Sequence, residues 1–320
     1  MVVIIPKKAY LTIVAACVRF ANARITKEDW TEVHGIFLGK NLGKGGNDDV
    51  LISVAYPIMH EIFDESLVVD RYELSEEDHV NLALIEEKGF ETGEFIVGWW
   101  HSHPGFKIML TGLGDIKTTM YWQSINPLAI ALVFNPERLV RQIELPKRKG
   151  DPIIQLKNDP GFKIFRLDDP NDPNSTFHEV EYRIEGYESM EQLVTLTQKF
   201  IIDVTNFFPK DNVPRVYEKY IDDRINNLNS LFQGTEEYLT TLTHRGEKNR
   251  IPDVIKSQTQ DIRKFVAETF LKIENVKEYM NYLEYKEKNI IIPQVDSILH
   301  KWDDAAANLD KRLKGLSKKF

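Results

Sequence analysis

The feature that most restricts the fold is a nearly unbroken apolar run, Phe95 to Trp100, that passes directly into His101-Ser102-His103-Pro104-Gly105-Phe106. A strand with one wet face alternates apolar and polar residues. A run without alternation is buried on both faces and needs other layers above and below it. Ala129 to Phe134 is a second run of this kind, ended by Asn135-Pro136. Both call for an α/β (α+β) fold with a curved, mixed central sheet flanked by helices.

The rest of the first two hundred residues fits that plan. Val2 to Ile5 reads as a strand, and Pro6 opens a helix whose apolar positions run from Ala9 to Phe20. Cys17, the only cysteine, falls in that pattern as a small core residue, and a single cysteine excludes a disulfide framework. Val33 to Leu38 and Val50 to Ile58 read as a hairpin around the turn at Gly43 to Asp48. Leu67 to Tyr72 is β-rich. Ser75 then caps a helix with Glu76, Glu77 and Asp78 in its first turn, reaching about Glu87. Ile116 to Ser124 reads as a helix, and Lys163 to Leu167 and Phe177 to Ile184 as strands.

From Met190 the hydrophobic period becomes helical. One stripe carries Leu193 to Phe207, a second Ile221 to Leu242, a third Ile255 to Met280, and a last helix is expected after Pro293. The break at Phe208-Pro209 divides the chain into residues 1–210, mixed α/β, and residues 211–320, an all-helical bundle or assembly region. The formal net charge of −8, from 41 basic and 49 acidic side chains, argues against a general nucleic-acid binder, because phosphate neutralisation needs clustered Lys and Arg. Lys311 to Lys319 reads as a solvated helix end. With no apolar run of about 20 residues and no signal-peptide pattern, the expectation is a cytoplasmic protein without a membrane partner.

The chemistry lies where the buried strand ends. His101 and His103, at i and i+2, point to the same side of a strand, so both imidazoles can reach one metal ion. Asp115, at the head of the next helix, offers a third ligand. Two His and one Asp leave one tetrahedral position open, the pattern of a catalytic Zn2+ site. Asp115 in that place also suits a helix N-cap. Far upstream, Glu32 begins a strand, and a carboxylate there can serve as general base. His34 is expected to stay off the metal, and His60 and His79 to lie on the surface. Trp100 or Trp99 could offer a substrate platform, though strand alternation makes one of them core. Ser102 could orient a neighbour or substrate by hydrogen bond.

These residues resemble the JAMM/MPN metalloprotease family. Its pattern is a distant Glu, then His-x-His-Pro, six residues, Ser, two residues and Asp. Glu32, His101, Ser102, His103, Pro104 and Asp115 match by type, and the resemblance extends over roughly residues 1 to 190. It implies a zinc metalloprotease acting as a deubiquitinase-like isopeptidase, with ubiquitin or ubiquitin-like conjugates as substrates. One departure stands out. Counted from Pro104 the serine position is Thr111, with Gly112-Leu113-Gly114 putting one residue too many before Asp115; counted back from Asp115 it is Gly112, which has no hydroxyl. In the family that serine helps to hold the oxyanion, so Thr111 becomes the candidate in its place. The alternative is a scaffold subunit whose chemistry has decayed; a hydrolase of small molecules is a third reading. The helical region, through Leu228, Leu231, Tyr238 and Ile251-Pro252, resembles the C-terminal helices of MPN subunits in large assemblies. That implies a possible MPN-domain or other protein partner; packing within the chain is the other reading.

Overall fold

The computed structural model describes residues 1–43, 48–62, 75–139 and 159–320. Two of these expectations therefore lie mainly outside the described residues, the tip of the turn at Gly43 to Asp48 and the β-rich stretch Leu67 to Tyr72; so does the loop from Pro146 to Pro160, which on its position in the sequence alone is a candidate cover for the metal. The chain divides into two units, Met1–Lys210 with Asn281–Lys288, and Asp211–Met280 with Asn289–Phe320.

The first unit is built on an eight-stranded sheet. In chain order its elements are β1 (Val2–Pro6), α1 (Lys7–Phe20), β2 (Thr31–Asn41), β3 (Val50–Ile62), α2 (Glu76–Glu91), β4 (Phe95–Ser102), α3 (Gly112–Ile125), β5 (Ile130–Phe134), β6 (Phe162–Leu167), β7 (Phe177–Glu179), β8 (Glu181–Glu185) and α4 (Met190–Phe207). The strand order is β7-β6-β5-β4-β2-β3-β1-β8. The apolar run is β4, and it sits in the interior of the sheet, antiparallel to β2 and parallel to β5. One face carries Trp99 against Ile85 of α2 and Ile116 and Trp122 of α3. The fold is thus mixed α/β, with helices over the sheet.

Two expectations change here. The single strand expected at Phe177 to Ile184 is two strands, interrupted at Val180. β7 pairs with β6 and β8 pairs with β1, at opposite edges of the sheet. Consecutive strands at opposite edges require the sheet to curl nearly into a barrel, which also protects edges that would otherwise offer unpaired backbone. The second change is in α2. Its start is a capping box, with Ser75 Oγ accepting from Asp78 N and Asp78 Oδ2 accepting from Ser75 N. Its end lies four residues beyond the expected Glu87, because Gly89 packs tightly against Leu38 rather than stopping the helix.

The second unit contains α5 (Val213–His244), α6 (Ile251–Lys277), most of α7 (Tyr285–Ala307) and α8 (Leu309–Lys319). The expected helical stripes are present. Leu239, Leu242 and Ile251 form one cluster, with Val254, Ile255 and Phe320 packed against it. The last helix does not begin after Pro293. It starts at Tyr285 and carries Pro293 inside it. A proline in a helix removes one backbone donor, and burial of Val295, Leu299 and Trp302 just beyond it compensates. A further break at Asn308 separates α8. Among the described residues, no helix is long and apolar enough to cross a membrane.

Gly35 lets β2 approach β4. A Cβ at this position would lie 2.3 Å from Trp100 Cε2 and 2.3 Å from the Tyr56 carbonyl oxygen. The backbone oxygen cannot rotate away, so the strands must part. Gly35→Ala is expected to destabilise the protein by about 1–3 kcal/mol, seen as a lower thermal midpoint. Gly43→Ala, where a Cβ meets nothing within 4 Å, should leave the midpoint unchanged.

Candidate metal centre

The pairing of β2 with β4 sets the site. His34 lies opposite His101 in register, and cross-strand partners project to the same face. Alternation then places Glu32 and His34 of β2, and His101 and His103 of β4, on one face. This is also the face covered by α3, whose first turn carries Asp115.

The three predicted ligands come together. His101 Nε2 is 2.8 Å from His103 Nε2. Asp115 Oδ1 is 3.3 Å from His101 Nε2, and Asp115 Oδ2 is 3.6 Å from His103 Nε2. One donor atom from each residue lies within 4.8 Å of the others. Two donors each about 2.0–2.1 Å from a tetrahedral zinc are separated by roughly 3.3 Å, so the cluster matches one ion's shell after only small ring movements. The tautomer of His103 also suits a ligand. Its Nδ1 is 2.9 Å from the Lys107 carbonyl oxygen. That oxygen can only accept, so Nδ1 carries the proton and the Nε2 lone pair points into the cluster.

Electrostatics favours a cation here. Burial lowers the pKa of His101, and the neighbouring Asp115 only partly offsets it. His34 is pushed down to about 3 by burial and by His101, so it is neutral. For His103, burial is outweighed by the hydrogen bond and charge of Asp115, with a further contribution from Glu32, and its pKa rises. Burial of Asp115 is outweighed by the two imidazoles, which hold its carboxyl well below the usual range. Asp115 is therefore an ionised carboxylate and His101 a neutral imidazole, while the raised pKa of His103 means that a divalent metal binding there displaces a proton. Zn2+ fits the residues present.

The supports explain why the cluster is ordered. The Trp99 ring stacks on His101, with centroids 4.4 Å apart and planes 5° from parallel. Trp99 Nε1 in turn donates to Thr119 Oγ1 at 3.2 Å, tying β4 to α3. Beyond the strand, His103 N donates to Phe134 O at 2.7 Å, and Asn135 Nδ2 donates to Phe106 O at 2.6 Å. Sequence reasoning missed Trp99 and Asn135 as supports. The i, i+2 spacing of Trp99 and His101 was the available signal.

The extra residue before Asp115 is absorbed locally. Gly112 takes φ +64°, a conformation that glycine adopts without penalty. The chain turns there, Thr111 N donates to Asp115 Oδ2 at 2.6 Å, and Thr111 Oγ1 lies 3.3 Å from the same oxygen. The Thr111 hydroxyl therefore borders the cluster despite the altered spacing.

Three sequence assignments change. Trp100 is wholly buried, and its ring packs at Gly35; Trp99 is buried as well, so neither is a substrate platform. Ser102 is also fully buried, on the opposite face, with its hydroxyl accepting from Val33 N at 2.9 Å. Of the two roles expected for it, it takes the one toward a neighbour, stapling β4 to β2, and its burial leaves no face for substrate. His34 stays outside the ligand set, yet it stacks on His101 with planes 6° apart. His60 is not a free surface residue; it pairs with Glu284 at 2.5 Å.

Comparison with known proteins agrees with this geometry. Residues 2–128 match the family described as JAB1/Mov34/MPN/PAD-1 ubiquitin protease. The chain is 36% identical over 78 residues to the Drosophila melanogaster 26S proteasome non-ATPase regulatory subunit 14, a match covering 24% of this chain and 20% of that protein. It is 42% identical over 48 residues to the Schizosaccharomyces pombe 26S proteasome regulatory subunit rpn11, covering 15% of each. It is 41% identical over 49 residues to the Neurospora crassa COP9 signalosome complex subunit 5, covering 15% of this chain and 14% of that one. The matches thus span a fifth or less of these relatives' lengths. Sheet, cluster and family match converge on one conclusion: residues 2–128 carry a JAB/MPN domain.

Proposed function

We propose that this chain is a zinc-dependent isopeptidase that removes ubiquitin or a ubiquitin-like modifier from conjugates. The observation that carries the reading is the convergence of His101, His103 and Asp115 donor atoms within 4.8 Å of one another, on the face shared with Glu32. When bound, zinc supplies Lewis acidity, polarising the scissile carbonyl and acidifying water. His101, His103 and Asp115 hold it. Glu32 takes the proton of the attacking water and returns it to the leaving amine. The Thr111 hydroxyl, at the border of the cluster, donates a hydrogen bond to the charge developing on the carbonyl oxygen. The half-buried Glu32 and the apolar walls of Trp99 and His34 keep the proton transfer out of bulk water.

The relatives named above are described as subunits of the proteasome and of the COP9 signalosome. That similarity supports a second part of the proposal: this chain works in a multi-subunit, cytoplasmic assembly, with residues 211–320 as the assembly region and a second MPN-domain protein as a candidate partner. A purely structural subunit is the competing reading, favoured by the altered spacing at Thr111 to Asp115.

Three outcomes test the enzyme. Purified protein should hold about one zinc per chain, and removal by a chelator should lower its thermal midpoint, because an ion that binds only the folded state stabilises it. His103→Ala should abolish this zinc response. Glu32→Gln should keep the zinc while cleavage of a ubiquitin fusion falls about 10²–10⁴-fold. Thr111→Ala should reduce kcat by about 10²–10³-fold, with Thr111→Ser close to the parent. Stoichiometric zinc with no cleavage of any modifier fusion would favour the scaffold.

A further inference from the structure

Only three Asp, Glu, Lys or Arg side chains are fully buried among the described residues: Arg19, Asp78 and Glu284. They come from distant parts of the sequence, and all three belong to one network. That network fastens the segment 281–288, which arrives from the helical region, onto the first unit. Burying ions costs several kcal/mol each unless they are paired, so three buried charges at one seam call for an explanation.

The geometry has two clasps joined by a stack. At one end, Glu287 takes both guanidinium nitrogens of Arg19, at 2.6 and 2.8 Å, while Arg19 also donates to the carbonyls of Pro209 and Lys210 at 3.0 Å each. At the other end, Glu284 meets His60 Nδ1 at 2.5 Å, and Lys286 lies 3.7 Å from Glu284 and 3.6 Å from Asp78. Between them the Phe20 ring stacks on His60, centroids 4.1 Å apart, with the Arg19 guanidinium 4.9 Å from its centre. The clasps differ in what they hold. Glu287 holds the end of α1. Glu284 holds His60, which is paired with Val33 in the β2–β3 ladder, directly beside the pair Glu32 and Glu61.

We propose that Glu284 is a positioning residue for Glu32. It fixes His60, His60 fixes the end of β3, and the strand pairing fixes the β2 position from which Glu32 faces the cluster. The strap makes the site's general base depend on a segment more than 250 residues downstream in sequence, while the metal ligands on β4 and α3 do not touch it. This inference rests on the proposed role of Glu32, but the strap itself can be read without any hydrolysis.

The test uses the full chain, with and without added zinc. Glu284→Gln keeps the shape and removes the charge. Hydrogen exchange of backbone amides should quicken in residues 31–34 and 58–61, with β4 and α3 unchanged and zinc stoichiometry intact. Cleavage of a ubiquitin fusion should show kcat down about ten- to a hundred-fold with KM held, the scale of a small misplacement of a reacting group. His60→Gln, which cuts the same bond from its more exposed side, should reproduce the pattern if Glu284→Gln folds poorly. Glu287→Gln should loosen the end of α1 and leave exchange at 31–34 slow. Unchanged exchange at 31–34 and 58–61 in both Glu284→Gln and His60→Gln overturns the proposal. So does equal loosening by Glu287→Gln, or loss of zinc with general loosening, since these mark a mere structural support. If the parent chain cleaves nothing, the proposed function falls, and the exchange pattern alone still decides whether Glu284 holds the β2–β3 end.

Discussion

The antiparallel pairing of β2 with β4 is the constraint on which the site depends. Strand side chains have a period of two, so a slip of one residue would turn every side chain on β2 to the other face. Glu32 and His34 would then leave the face of His101 and His103. The pairing is secured from both sides of the sheet. On one, Ser102 accepts from Val33 N; on the other, His34 lies parallel over His101. Gly35 permits the close approach that both require. Ser102, which looks like chemistry in the sequence, holds the register that keeps Glu32 and His34 on the face of the cluster.

The cluster is also an electrostatic solution to burial. Three ionisable side chains close together in a dry site would ordinarily oppose one another. Here the neutral forms of His34 and His101 and the ionised form of Asp115 are each favoured by their surroundings. The Lys107 carbonyl orients His103, and Trp99 walls off His101. His101 and Asp115 are thus set in protonation state, and His103 in direction, before any ion arrives, and only the proton that Asp115 and Glu32 favour on His103 has to leave. The turn at Gly112 shows the same economy: one extra residue is taken up by a left-handed glycine, and the carboxylate still reaches the imidazoles.

Much of this was legible in the residues. The unalternating run at Phe95 to Trp100 announced an interior strand. The i, i+2 histidines announced a shared face, and the change of period after Met190 announced a helical region. Other points were not legible. Phe177 to Ile184 looked like one strand, because period-2 alternation says nothing about which neighbour each half pairs with. Pro293 looked like a helix start, because local propensity cannot register the burial of Val295, Leu299 and Trp302 that carries the helix through it. His60 looked like an exposed residue, since its partner Glu284 is 224 positions away.

The sequence by itself determined the donor set: which side chains could bind a cation, on which strand and helix they stand, and that a carboxylate two residues from His34 shares its face. These follow from strand and helix periods, which are local properties of the backbone. The tertiary structure decided what depends on contacts between distant segments. It brought Thr111 and Asp115 to the imidazoles despite the altered spacing, turned Ser102 and Trp100 into the interior, and folded residues 281–288 back onto the first unit. No local rule anticipates these outcomes, because each is set by the free energy of burying particular groups against one another.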